Sequence, residues 1–154
     1  MVVQTGVPSS GEQYIHRLGR TARAGASGRG ILILASFEKF FLQHKDVAAL
    51  PIHEHRSFDD LPTEEIDTAL DMVDQKIKEQ AYQAWLGFYA VLAKRMQIAP
   101  AQLVEMANTY AMEILRYKGD QTPPILAKTV GMMGLKGVPG FNLVKSNDQL
   151  KRIR

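Results

Sequence analysis

Four consecutive apolar residues, Ile31-Leu32-Ile33-Leu34, set the strongest limit on how this chain folds. A run that short, with no polar alternation, fits a strand buried on both faces, the situation of parallel sheets covered by helices. Val2 and Val3, continuing through Thr5-Gly6-Val7, read as another short strand ending at Pro8, where no ladder donor exists. Between the two, Ser9-Ser10-Gly11-Glu12 has the Ser-x-x-Glu spacing of a capping box. The predicted helix runs from there to about Ala22 or Arg23, with Gly25 as its stop. Beyond the apolar run, Ser36 is the predicted cap of a short helix bearing Phe37, Phe40, Phe41 and Leu42. Strand, helix, strand, helix is the rhythm of a parallel α/β sheet. Two strands make no complete sheet, so further strands are expected upstream of Met1.

The pattern changes after Asp46. The stretch between Pro51 and Pro62 has no clear period and reads as a connector. Thr63 then caps a helix whose first turn carries Glu64, Glu65 and Asp67, which suits the positive end of a helix dipole. Ile66, Leu70, Val73, Ile77, Ala81, Ala84, Phe88 and Leu92 follow at helical spacing and predict one buried stripe, with Gly87 a possible break. Pro100 suits the first turn of a further helix with the stripe Leu103, Met106, Tyr110, Ile114 and Tyr117. Thr122-Pro123 predicts another, stopped by Gly134. Met72, Trp85, Phe88, Tyr89, Met96 and Met106 lie along these stripes and are expected in the core rather than in a base-stacking platform. The expected fold class is α/β followed by all-α. It divides into an α/β piece at 1–50, a connector at 51–62, helices at 63–145 and a basic tail at 146–154.

Charge is distributed unevenly. The net charge of +3 breaks down into +4 for residues 1–45, −7 for 46–90 and +6 for 91–154. Two basic surfaces suited to polyanions are therefore expected on either side of an acidic segment, solvated faces being the plainer alternative. There is no cysteine, so disulfides and thiolate metal sites are excluded. His53-Glu54-His55 has alternating spacing and no third ligand nearby, so no metal site is expected. No uninterrupted apolar run is long enough to cross a membrane as a helix.

The segment with the most chemistry is His16-Arg17-Leu18-Gly19-Arg20-Thr21-Ala22-Arg23. On one continuous helix, His16, Arg20 and Arg23 fall within about 60° of one another, while Ile15, Leu18 and Ala22 lie on the other side. Stacked cations repel slightly, and an anionic ligand removes that penalty. Arginine suits phosphate because its planar fork donates two parallel hydrogen bonds and stays charged. A solvated basic helix is the alternative reading of charge pattern alone.

The stretch resembles motif VI of the DEAD-box RNA helicases, His-Arg-x-Gly-Arg-x-x-Arg, with Gly6-Val7-Pro8-Ser9 upstream of Tyr14-Ile15 and a Gly-rich turn into an apolar strand downstream. The resemblance covers residues 1 to about 45 and implies part of a RecA-like second helicase domain. By position it implies that Arg20 and Arg23 reach the γ-phosphate of ATP as arginine fingers. It likewise implies that His16, Arg17 and Gly19 couple the cleft to the first motor domain. ATP and Mg2+ are the implied cofactors, held mainly by that first domain in cis, and RNA is the implied partner. The chain has no Gly-Lys-Thr loop and no Asp-Glu-Ala-Asp box, so it is expected to be inactive as an ATPase by itself.

Residues from about 60 onward resemble the helical C-terminal extension of fungal mitochondrial DEAD-box RNA chaperones, through Asn108-Thr109-Tyr110-Ala111, the run Gly134–Asn142 and the basic tail. That resemblance implies a mitochondrial matrix location, a cytoplasmic or nuclear one being the alternative, and an extension that contacts or bends RNA. Candidate phosphate contacts are Lys94, Arg95, Arg116 and Lys118, together with Lys151, Arg152 and Arg154 of the tail. Charges that merely satisfy helix C-termini are the plainer account of the first four. A non-catalytic RNA-binding or protein-docking helical module is the competing function.

Overall fold

The computed structural model describes residues 1–21, 27–55 and 62–145. Internal contacts divide the chain into two units, Met1–Ser57 and Phe58–Arg154, and each stands by itself below.

In the first unit, β1 (Val2–Thr5) and β2 (Gly30–Ile33) pair in parallel, with Val2 opposite Gly30 and Thr5 opposite Ile33. The helix between them, α1, covers Gly11–Leu18. A 3-10 helix at Ser36–Gln43 and the short α2 at Lys45–Ala48 follow. Tyr14 from α1, Phe41 from the 3-10 helix and Val47 from α2 form the buried centre, and Leu18, Leu32 and Leu34 pack around it. Tyr14 and Phe41 meet edge to face, centroids 5.9 Å apart, the geometry that aligns a ring's positive edge with its neighbour's negative face.

Two local predictions shift here. The reciprocal cap of α1 uses Ser10 and Gln13: Ser10 Oγ accepts from Gln13 N at 3.1 Å, and Ser9 N donates to Gln13 Oε1 at 3.0 Å. Glu12 takes no part in it. The 3-10 helix is capped by Glu38, not Ser36. Its buried carboxylate accepts from Ala35 N at 2.8 Å and from Val7 N at 3.3 Å, tying together the loops that leave β1 and β2.

The second unit holds α3 (Glu64–Asp71), α4 (Gln75–Met96) and α5 (Pro100–Thr109), the last continued by a π turn at Tyr110–Ile114. Asp74 caps α4 by accepting from Lys76 N at 2.7 Å and separates it from α3, so the break falls well before Gly87. Gly87 sits inside α4, where Met133 packs against it; an added Cβ would lie 3.3 Å from Met133 Cε.

The buried side of α4 is not the expected stripe. Ile77 and Phe88 are 56% and 47% exposed, whereas Tyr82, Leu86 and Tyr89 are buried, together with Lys78 and Glu79. Leu103, Val104, Ala107 and Ala111 supply the buried positions of α5 and its π turn. Met72, expected in the core, is exposed.

Thr122-Pro123 leads into a strand before any helix. β3 (Pro124–Leu126) is followed directly by α6 (Ala127–Met132) and pairs in parallel with β4 (Asn142–Val144). The mainly helical unit thus also contains a two-stranded parallel pair. Asn142 Nδ2 donates to Thr122 O at 3.0 Å and fixes the register of the returning strand.

Candidate functional site

The arginine segment grows out of α1. Tyr14 anchors the helix in the core, and Gln4 Nε2 of β1 donates to Tyr14 O at 3.3 Å. Leu18 lies against Gly30, where a Cβ would collide with Leu18 Cδ1. Gly11 is similarly confined: a Cβ there would lie 2.6 Å from His44 Nδ1. The helix is held by its buried side and both ends.

The helix ends at Leu18 with Gly19 as its C-cap, a turn earlier than predicted. Arg20 N donates to Arg17 O and Thr21 N to Leu18 O, each at 3.1 Å, so the chain tightens into successive i→i+3 turns. His16 and Arg17 therefore sit in the last helical turn and Arg20 in the turn beyond it. His16 and Arg20 thus do not share one continuous helical face. Ile15, expected to dock, is exposed, and Tyr14 does that work with Leu18.

His16 and Arg17 point outward; His16 Nε2 is 3.9 Å from Glu12 Oε1 across one exposed helical turn. Arg20 is exposed and pairs with no carboxylate among the described residues. Arg23 lies outside the described residues. Glu12, Ile15, His16 and Asp46 line a shallow open hollow beside this segment.

The second group of candidates separates into three. Lys94 and Arg95 occupy the last turn of α4 and are exposed. Lys151, Arg152 and Arg154 lie outside the described residues. Arg116 and Lys118 converge on Asp71 at the end of α3. Arg116 grips it with two prongs, Nε to Oδ1 at 3.1 Å and Nη2 to Oδ2 at 3.0 Å, and Lys118 Nζ is 3.5 Å from Oδ1. Arg116 follows the π turn with a left-handed φ of 53°, so these two cations have a carboxylate partner in addition to their place beyond a helix C-terminus. The Arg116 hydrogen bond, assisted by the nearby charges of Arg116 and Lys118, holds the Asp71 carboxyl below the usual carboxylate range.

Sequence reading missed the partners that organise this cluster. Lys78 is buried and donates from Nζ to Arg116 O at 2.9 Å. Burial pushes its amine below the usual lysine value, against the raising influence of Asp71. Lys118 N donates to Gln75 Oε1 at 3.0 Å, and Tyr117 OH to Glu79 Oε1 at 3.4 Å. No local pattern marks Lys78 and Glu79 as buried, since their partners lie about 40 residues away. Glu38 was findable: it stands three residues after Ala35, the N3 offset of a cap.

A third arrangement fixes the far side of this unit. Tyr82 OH donates to Asn108 Oδ1 at 2.9 Å, and Asn108 Nδ2 donates to Gly140 O at 2.9 Å. Burial pushes the Tyr82 phenol up to about 12, so it stays a donor at neutral pH. Gly140, at φ 101°, adopts a backbone that suits glycine and lies close to Val104.

No protein-family model matches the chain. Among solved structures, it is similar to one described as "Mss116p DEAD-box helicase domain 2 bound to an RNA duplex", with a TM-score of 0.68 at 23% identity, covering 89% of this chain and 54% of that one. Among curated proteins, it is 40% identical to the mitochondrial ATP-dependent RNA helicase mss116 of Aspergillus oryzae over 96% of its length, and 42% identical to the mitochondrial MSS116 helicase of Phaeosphaeria nodorum over 93%. It is 44% identical over 92% of its length to DEAD-box ATP-dependent RNA helicase 26 of Arabidopsis thaliana. The chain spans only 24%, 26% and 16% of these three relatives. It is homologous to part of the DEAD-box RNA helicases of the Mss116 kind, and its fold is that of a partial RecA-like helicase domain 2 with parallel strands and several helices.

Proposed function

We propose that this chain serves an ATP-dependent RNA helicase by presenting arginines to ATP whose phosphates and Mg2+ are held by the first helicase domain of the same protein. The observation that carries this reading is the exposed turn after α1. Arg20 stands there just past the end of a helix that carries Arg17 and is anchored by Tyr14, and Arg20 has no carboxylate partner among the described residues. A guanidinium left free on a rigid mount loses nothing internal when it neutralises charge developing on a transferring phosphoryl group. Arg20 and Arg23 take that role by their place in the motif. His16, Arg17 and Gly19 transmit closure between the domains, with Gly19 ending the helix so that Arg20 leaves its axis. The second unit contacts RNA through phosphate-directed cations, Lys94 and Arg95 and those of the tail, and its likeness to mitochondrial helicases of two fungi favours a mitochondrial location.

The test is RNA-stimulated ATP turnover by the complete helicase that carries this segment. Arg20→Ala is expected to lower turnover by at least about a hundredfold with the fold intact, the range seen when a transition-state charge donor is removed. Turnover within about twofold of the parent helicase would refute the finger role.

A further inference from the structure

We propose that Asp71 occupies an anion site formed by Arg116 and Lys118, and that an RNA phosphate entering this site displaces Asp71 and frees α3. The inference rests on the reading of the second unit as an RNA-contacting element and assigns that reading a regulated site.

The cations are mounted independently of Asp71. Three contacts bind the segment 116–118 to the first turns of α4: Lys78 Nζ to Arg116 O, Lys118 N to Gln75 Oε1, and Tyr117 OH to Glu79 Oε1. Lys78 and Glu79 are buried, so this mount is part of the packed unit. Arg116 is held there in a left-handed conformation that aims its side chain at the end of α3.

Asp71 is the removable member. No residue of α3 is buried, and Ile66 is 60% exposed, so little apolar surface holds the helix in place. The pair itself is accessible, with the Arg116 and Asp71 side chains 41% and 34% exposed. Exposed ion pairs are generally weak, and although its two-pronged geometry makes this one firmer than most, it stays open to water and to competing anions. A carboxylate and a phosphate offer the same fork of oxygens to a guanidinium, and a polynucleotide adds counterion release that Asp71 lacks. Asp71 therefore acts as a resident stand-in for phosphate. It quenches two cations until RNA replaces it, and the release of α3 is the structural consequence.

The experiment measures binding of a fluorescein-labelled oligouridylate to the 154-residue chain by anisotropy across a salt series. Asp71→Asn keeps the shape and removes the charge, and is expected to tighten binding about 2- to 5-fold, the range an exposed pair allows. Glu65→Gln removes an equal charge elsewhere on α3 and is expected to change binding less. Lys118→Ala is expected to weaken binding and flatten the slope of log K against log salt by about 0.7, one phosphate's share on a single strand. Hydrogen exchange at residues 64–71 is expected to quicken when oligouridylate is added to the parent chain. Equal gains from Asp71→Asn and Glu65→Gln, or unchanged exchange in α3, would overturn the displacement while leaving RNA contact standing. RNA binding indifferent to Lys118→Ala would remove the site. No binding at any salt would overturn both this inference and the RNA-contact reading beneath it.

Discussion

Glu38→Gln offers a sharp test of how the arginine segment is mounted. The Glu38 side chain is buried, with each carboxylate oxygen facing a different backbone donor: Oε2 accepts from Ala35 N at 2.8 Å and Oε1 from Val7 N at 3.3 Å. An amide has the same shape but only one acceptor. Whichever way it turns, its NH2 meets an N–H, one backbone donor is stranded, and the other bond loses its charge assistance. A hydrogen bond to a charged group contributes about 1.5–3 kcal/mol and a stranded buried donor costs about 1–3 kcal/mol, so the substitution should destabilise the first unit by about 2–4 kcal/mol. Val7 lies three residues before Ser10, the cap of α1, so the loss should loosen the start of the helix that carries Arg17 and Arg20. Native-state hydrogen exchange is the suitable assay because it reads the two units separately, which a single melting curve does not. Exchange at the amides of β1, β2 and α1 should quicken by the factor equivalent of about 2–4 kcal/mol, while amides of α4 and α5 stay within error of the parent. A change below about 0.5 kcal/mol in β1 and β2 would refute the claim that a two-pronged acceptor holds the loops together.

Tyr82→Phe removes the phenol that donates to the part-buried Asn108 and should cost about 0.5–1.5 kcal/mol, the net contribution of an ordinary hydrogen bond. Faster exchange around 138–142 in that variant checks whether the loss reaches Gly140 through Asn108. The Asp71 contact should also respond to acid. Its folded pKa lies below the unfolded value, so its stabilising effect is complete above the usual carboxylate range, about pH 4, and is lost as pH falls through the lowered value. The groups facing it are the basic side chains of Arg116, Lys118 and Lys78. The side-chain carboxyl shift of Asp71 itself should titrate below the ordinary aspartate value, and a midpoint at or above that value would contradict the pairing.

The sequence exposed what local chemistry decides and hid what distant partners decide. The run Ile31–Leu34 and the Ser-rich cap led to a parallel β1–β2 pair with a helix between them, because a short apolar run and a capping pattern are encoded within a few residues; the burial expected on both faces of the run is not reached, Ile33 being exposed. The end of that helix was misplaced because the residues after Gly19 remain compatible with a helix; the chain instead tightens through the bonds from Arg20 and Thr21 back to Arg17 and Leu18. Thr122-Pro123 is locally a good helix opening, and the pairing that makes Pro124–Leu126 a strand comes from Asn142–Val144.

The buried side of α4 shows the same limit most clearly. Its sequence carries two apolar stripes, Ile77-Ala84-Phe88 and Tyr82-Leu86-Tyr89, and helical periodicity fits both. Hydrophobicity alone favours the first, since the second continues backward into Lys78 and Glu79. The second is nevertheless the one that packs, because those two charged residues find partners there: Lys78 reaches the Arg116 carbonyl and Glu79 receives the Tyr117 hydroxyl. A buried charge is tolerable only where such partners are built in. Placing Arg116 and Tyr117 over α4 thus selects its inward face, and the same placement sets Arg116 and Lys118 opposite Asp71. The orientation of the long helix and the anion site at its start are one structural decision.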